Sequence, residues 1–192
     1  MKPLPNPLLG QGEGRATGEK DFAGGGTGRP FWVLIGAITI PIIVLDQATK
    51  LFVKAHMELY ESIAVVRNYL DITYTLNPGA AFSMLANAPL WVRRAFLMTL
   101  ASSAIVVLLV LIYRSARVSV TSIAYALIAG GATGNLIDRA FRGQVIDFVR
   151  AHYYDLNYPI FNVADSAISI GVTLLIVMTI FGNEESEAPR SG

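Results

Sequence analysis

Four aspartates, Asp46, Asp138, Asp147 and Asp165, stand within or beside strongly apolar stretches of this 192-residue chain, with Asn77, Asn135 and Asn162 among them. Ionisable groups next to segments long enough to cross a bilayer are expensive to keep, so they mark a functional site by default. The chemistry open to them is specific. Two carboxylates held close together cannot both ionise cheaply, because like charge and desolvation raise one pKa. The charged one takes a proton from water as the water attacks a carbonyl; the protonated one donates to the carbonyl oxygen. Such a pair hydrolyses an amide without metal or cofactor, and neighbouring carboxamides can hold the acids or a substrate backbone by hydrogen bonds. Spacing alone does not say which two of the four form the pair.

Other chemistries are poorly served. The chain has no cysteine, which removes disulfides, thiolate nucleophiles, thiolate-bound zinc and iron–sulfur clusters. The only histidines are His56 and His152, without an H-E-x-x-H pattern, and both neighbour aromatic residues suited to a membrane surface. No G-x-S-x-G turn is present. No cofactor and no metal are therefore expected. A net charge of +1 without a basic run argues against nucleic acid as a partner. Hydrophobic residues make up 53% and charged residues only 15%, with a mean hydropathy of +0.50. Soluble domains carry about 25% charged residues, so an integral membrane protein is expected.

The elements that must position these residues follow from the hydropathy pattern. Residues 1–30, rich in Gly and Pro, read as a disordered tail, as do residues 183–192; residues 31–182 form the membrane domain. The first span runs from about Phe31 to Phe52. It is too long for a cleaved signal peptide, and Asp46 and Lys50 stand where a small-residue cleavage site would be needed. Those two are spaced i, i+4 and share a helix face, either as a neutralising pair or as a polar cavity lining. Ile72, Tyr74 and Leu76 alternate with Thr73 and Thr75, which predicts short strands on one membrane surface. Asn77-Pro78-Gly79 reads as a turn.

The second span covers about Leu90 to Tyr113 and the third Ser119 to about Arg139. The Gly130-x-x-x-Gly134 spacing of the third span predicts a ridge for close helix packing. Asn135, Asp138 and Arg139 share one face of its last turns, where an Asp–Arg pair suits either structure or catalysis. Gly143 to Pro159 reads as a connection carrying interfacial tyrosines. The fourth span runs from near Phe161 to near Phe181, with Asn162, Asp165 and Ser169 on one polar stripe.

Four crossings alternate in direction. The end of span one, the start of two, the end of three and the start of four thus share a membrane face, and every polar candidate falls there. The Lys and Arg residues outside the spans divide equally between the two faces, so the positive-inside rule gives a tie. Setting aside Arg93, Arg94 and Arg139 as snorkelling or site residues tips the tails to the cytoplasm.

D-Q-A-T-K (46–50), N-P-G-A-A-F-S (77–83), G-N-L-I-D-R (134–139), V-I-D-F-V (145–149) and F-N-V-A-D-S (161–166) occur in this order. Together they resemble the lipoprotein signal peptidases, the signal peptidase II family of aspartyl peptidases in the bacterial inner membrane, over about residues 31–182. The resemblance implies that Asp147 and Asp165 are the catalytic dyad. It gives supporting roles to Asp46, Lys50, Asn77, Gly79, Asn135, Asp138, Arg139 and Asn162. It implies an all-α membrane fold of four transmembrane helices, with a small β-sheet cradle from roughly residues 57–76. A short interfacial helix would cross the site between spans three and four. The implied activity is an endopeptidase that cuts diacylglyceryl-modified prolipoproteins on the amino side of the lipidated cysteine. The implied partners are those substrates and membrane lipid, for a monomer with cytoplasmic termini and a periplasmic or outside-facing site. A proton- or cation-coupled transporter is the alternative, since intramembrane acids also mark ion pathways. It would predict internal repeats and polar groups in both halves of the membrane.

Overall fold

A computed structural model describes residues 29–79 and 89–181. Nearly all of both expected tails, and the A-A-F-S part of the second motif, lie outside the described residues. Four helices are long and apolar enough to cross a membrane: α1 (Arg29–His56), α2 (Leu90–Arg114), α3 (Val120–Phe141) and α4 (Val163–Phe181). Their outward surfaces carry Trp32, Val44, Phe52, Trp91, Val106, Ile176 and Phe181, all exposed. So extensive an apolar surface suits lipid rather than water. Trp32 and Trp91 stand at the starts of the first two helices, and so on opposite faces, as interfacial anchors do.

Helix α1 is interrupted by a π-helical stretch, Ile35–Thr39, closed by the Ile40 amide donating to the Ile35 carbonyl. Pro41 follows at once. Its ring has no N–H and would press on the carbonyl four residues back, and the wider turn relieves that clash. The central helix is α3, which packs on all three others. Its start is fixed by a capping box in which Ser119 and Ser122 exchange side-chain and backbone hydrogen bonds. Gly143, at φ +74°, follows its last turn.

The glycine ridge of α3 packs as its spacing predicts. A Cβ on Gly130 would press on Ile42, and one on Gly134 would lie 2.5 Å from the Asp46 carboxylate. Gly131 faces α4 in the same way, over Ala164 and Ile168. Removing these side chains lets three helix backbones converge on one level.

Above that level lies an antiparallel sheet of β1 (Ser62–Val66), β2 (Leu70–Asn77), β3 (Val145–Tyr153) and β4 (Leu156–Asn157), in sequential order. The strands expected before Asn77 are present. The region between α3 and α4, in contrast, was expected to hold a short interfacial helix. Among the described residues it holds β3 and β4, and no helix. Val145, Ile146 and Val149 favour an extended chain, and β3 satisfies its amides on β2, with Thr75 opposite Asp147 and Asn77 opposite Val145. The chain then returns beside β3, where Phe161 pairs with Val149. The fold is therefore the expected four-helix membrane bundle with a small sheet, but that sheet has four strands, which the label all-α leaves out, and it reaches beyond residues 57–76 into the segment between α3 and α4. Val53, Tyr74, Ile146 and Phe148 form the apolar cluster that seats the sheet on α1.

Candidate active site

At the end of α1, Asp46 and Lys50 lie on one face as their spacing requires, and both are fully buried. The Lys50 ammonium donates to Asp46 Oδ2 at 2.8 Å, to Asp138 Oδ2 at 2.8 Å and to Asn135 Oδ1 at 3.0 Å. Three donors meet three acceptors, which is the condition for keeping a cation in a dry interior. Asp138 is ion-paired a second time, to Arg142 one turn further along α3. The cluster Asp46–Lys50–Asp138, closed by the partly exposed Arg142, thus sums to zero formal charge.

The Asp–Arg pair expected between Asp138 and Arg139 does not form. Arg139 instead donates to the Asn135 carbonyl at 3.3 Å. Positions i and i+4 share a helix face while i and i+1 diverge, so Arg142 takes the pairing role. Sequence reasoning missed Arg142, and also Gln47, whose Nε2 lies 3.1 Å from both Asp46 Oδ2 and the Gly134 carbonyl. The signal for Arg142 was its distance of four residues from Asp138.

The second half of the site is built on the start of α4, whose first amides lack helical partners. Asp46 Oδ1 accepts from Ala164 N at 2.9 Å. Asn162 Oδ1 accepts from Asp165 N at 2.9 Å, and Asp165 Oδ2 accepts from Asn162 N at 3.2 Å. This reciprocal box makes Asn162 a cap just before the helix rather than part of a helical stripe. It also sets the direction of the Asp165 carboxylate, whose Oδ1 accepts from Asn135 Nδ2 at 2.8 Å. Lys50 and Asn162 both donate to Asn135 Oδ1, so the amide of Asn135 can present only its nitrogen to Asp165.

Asp147 on β3 is held from two sides. Its Oδ1 accepts from Asn162 Nδ2 at 2.7 Å and its Oδ2 from Asn77 Nδ2 at 3.0 Å. The Asn77 amide is oriented in turn by Gly79, whose N–H donates to Asn77 Oδ1 at 2.8 Å. Gly79 has φ +92°, and a Cβ there would strike Leu97, so the turn needs glycine twice over. Burial pushes the Asp147 carboxyl up to about 6; the Asp165 charge adds to this, while Asn77, Asn162 and Lys50 oppose it.

All ten residues singled out from the sequence therefore gather at one end of the bundle, where α1, α3 and α4 converge and meet the sheet. Asp147 and Asp165 are linked through Asn162 and Asn135. Asp165 also borders a cavity of about 290 Å³ with Tyr158, Phe161, Ser166 and Ser169. The histidines stand apart: His56 is exposed and stacked on Phe52, and His152 donates through Nδ1 to the Tyr154 carbonyl.

Fold and site together define a multi-pass helical membrane protein with two amide-held carboxylates at the end of its spans. A family model described as signal peptidase (SPase) II matches residues 38–181. The lipoprotein signal peptidase of Photorhabdus laumondii is 43% identical over 149 residues, 77% of this chain and 88% of that protein. That of Geobacter sulfurreducens is 42% identical over 163 residues, 84% of this chain and 99% of that protein. A bacterial membrane enzyme solved by the in meso method at 2.3 Å resolution superposes with a TM-score of 0.70. It is 29% identical, and the match covers 81% of this chain and 93% of that one. The chain belongs to the signal peptidase II family. These relatives give no support to the transporter alternative.

Proposed function

We propose that this protein is an aspartic endopeptidase that removes the signal peptide from lipid-modified prolipoproteins, with Asp147 and Asp165 as its catalytic pair. Family membership supports the activity. The observation that carries the site assignment is the hydrogen-bonded run Asp147–Asn162–Asn135–Asp165, anchored on the buried ammonium of Lys50. Of the four aspartates, Asp46 and Asp138 have carboxylates occupied by buried cations and backbone amides. Asp147 and Asp165 are held mainly by neutral donors, which leaves them able to exchange protons.

In this reading Asp147, whose carboxyl burial pushes up to about 6, is the acid of the pair and enters the reaction in its protonated form. Asp165 accepts a proton from the attacking water, and Asp147 donates to the carbonyl oxygen of the scissile amide. Collapse of the tetrahedral intermediate returns a proton to Asp147 and sends one from Asp165 to the departing amine. Atoms and charge balance with water as the only co-reactant. The substrate is a prolipoprotein whose cysteine carries a diacylglyceryl group, cut on the amino side of that cysteine. Its acyl chains stay in lipid while the peptide reaches the carboxylates, so the membrane shares the work of orientation. In this reading the chain acts as a monomer in the bacterial inner membrane, with cytoplasmic termini and a periplasmic site.

The test is incubation of the purified protein with a diacylglyceryl-modified prolipoprotein. The unmodified enzyme is expected to release the signal peptide. Asp147→Asn and Asp165→Asn are each expected to lose at least about a thousandfold in rate while staying folded. Turnover surviving in either variant, or equal cleavage of an unlipidated peptide, overturns the reading.

A further inference from the structure

The reverse face of the sheet carries another cavity, of about 360 Å³, in which Lys54, Arg142 and Gln144 stand around Tyr74 and Ile146. Successive strand residues point to opposite faces. Ile146 lines this cavity, while Asp147, the next residue, turns to Asn162 and Asn77 on the other side. The cavity is therefore separate from the carboxylate pair. Lys54 lies one turn beyond Lys50 on α1. Among the described residues it has no ion-pair partner, whereas Arg142 is already balanced within the neutral cluster. The pocket accordingly carries one uncompensated positive charge. It also lies where the ends of α1 and α3 reach the membrane surface, and Phe141, on its rim, is 85% exposed. A cation and an amide in one cavity, beside an exposed aromatic ring at the end of a spanning helix, match an amphipathic anion of single charge.

We propose that this cavity binds the phosphodiester headgroup of an anionic glycerophospholipid. Lys54 supplies the charge, Arg142 and Gln144 supply hydrogen bonds, and Phe141 packs against the acyl chain. Because Arg142 also holds Asp138, the lipid stands against the outer wall of the cluster that anchors Asn135. The site does not depend on the peptidase assignment.

The experiment is native mass spectrometry of the full chain, released from membranes containing equal phosphatidylglycerol and phosphatidylcholine of the same acyl composition. The unmodified protein is expected to retain one phosphatidylglycerol in preference to phosphatidylcholine. Removing or reversing one near-surface charge predicts a loss of that preference of about fivefold in Lys54→Gln and about thirtyfold in Lys54→Glu. Thermal unfolding in detergent, with midpoints equal to that of the unmodified protein, checks that both variants are folded. Equal retention of the two lipids, or an unchanged ratio in Lys54→Glu, overturns the proposal. Soluble glycerol phosphate separates the two sources of the anion. Persistence of bound lipid against millimolar glycerol phosphate supports a lipid site, and displacement at lipid-equivalent concentration overturns it.

Discussion

Asn135 carries the most responsibility of any single side chain in the site, because its amide joins the charged cluster to the carboxylate pair. Its oxygen is committed to Lys50 and Asn162, so its nitrogen must face Asp165. At the same scale, the raised pKa of Asp147 sets the pH behaviour. An acid with folded pKa of about 6 binds more protons folded than unfolded between about pH 4 and 6. Its contribution to stability is therefore gained on acidification and falls as pH rises through that window. If Asp147 is the donor, kcat/KM should fall up to tenfold per unit above about pH 6, with a separate acid limb where the base Asp165 becomes protonated. The melting temperature of the unmodified protein, relative to Asp147→Asn, should rise between pH 7 and pH 4. A pH–rate profile whose alkaline limb lies several units higher, together with a constant difference in melting temperature, would show that Asp147 is not the proton carrier.

Among the elements, α3 decides whether the site assembles, because its small residues let α1 and α4 approach. The glycine spacing was legible in the sequence as a packing ridge. That Gly134 lies directly against the Asp46 carboxylate was not, since nothing in α3 names its partner. Gly134→Ala should cost about 1–3 kcal/mol as an overpacking change and lower peptidase activity with it, because the Asp46 carboxylate must move off Lys50 and Ala164. Gly36→Ala, with nothing within 4 Å of the added Cβ, should leave both unchanged. Thermal unfolding of the two variants in detergent checks this, and equal stabilities would contradict the packing account. Strand β3 shows the opposite limit. Its first four residues are all buried, so the apolar–polar alternation by which a half-exposed strand is recognised is absent. Its partner β2 lies some seventy residues earlier. The same segment read as a connection until β2 was there to pair with it.

For the whole molecule, the outcome is polarity concentrated at one end of a bundle that is otherwise apolar outside. This layout makes a labelling experiment simple, because the chain contains no native cysteine. With the site facing the periplasm, Tyr153→Cys on β3 should react with a membrane-impermeant maleimide in cells whose outer layers are opened. Arg117→Cys, in the loop between α2 and α3, should react only after the inner membrane is permeabilised. The reverse pattern would invert the proposed topology while leaving the site's internal geometry untouched.

Hydropathy and spacing by themselves determined four crossings, the gathering of acids and amides on one face, and five motifs that resemble one peptidase family. Each depends on residues within a few turns of one another, or on the alternation of direction that crossings impose. The tertiary structure alone decided which side chains share a hydrogen bond. Lys50 with Asn135, Asp46 with Ala164 and Asp147 with Asn77 are separated by 85, 118 and 70 positions. Such pairings are chosen by helix convergence and strand register, because a buried charge or amide is tolerable only where the fold brings it a partner.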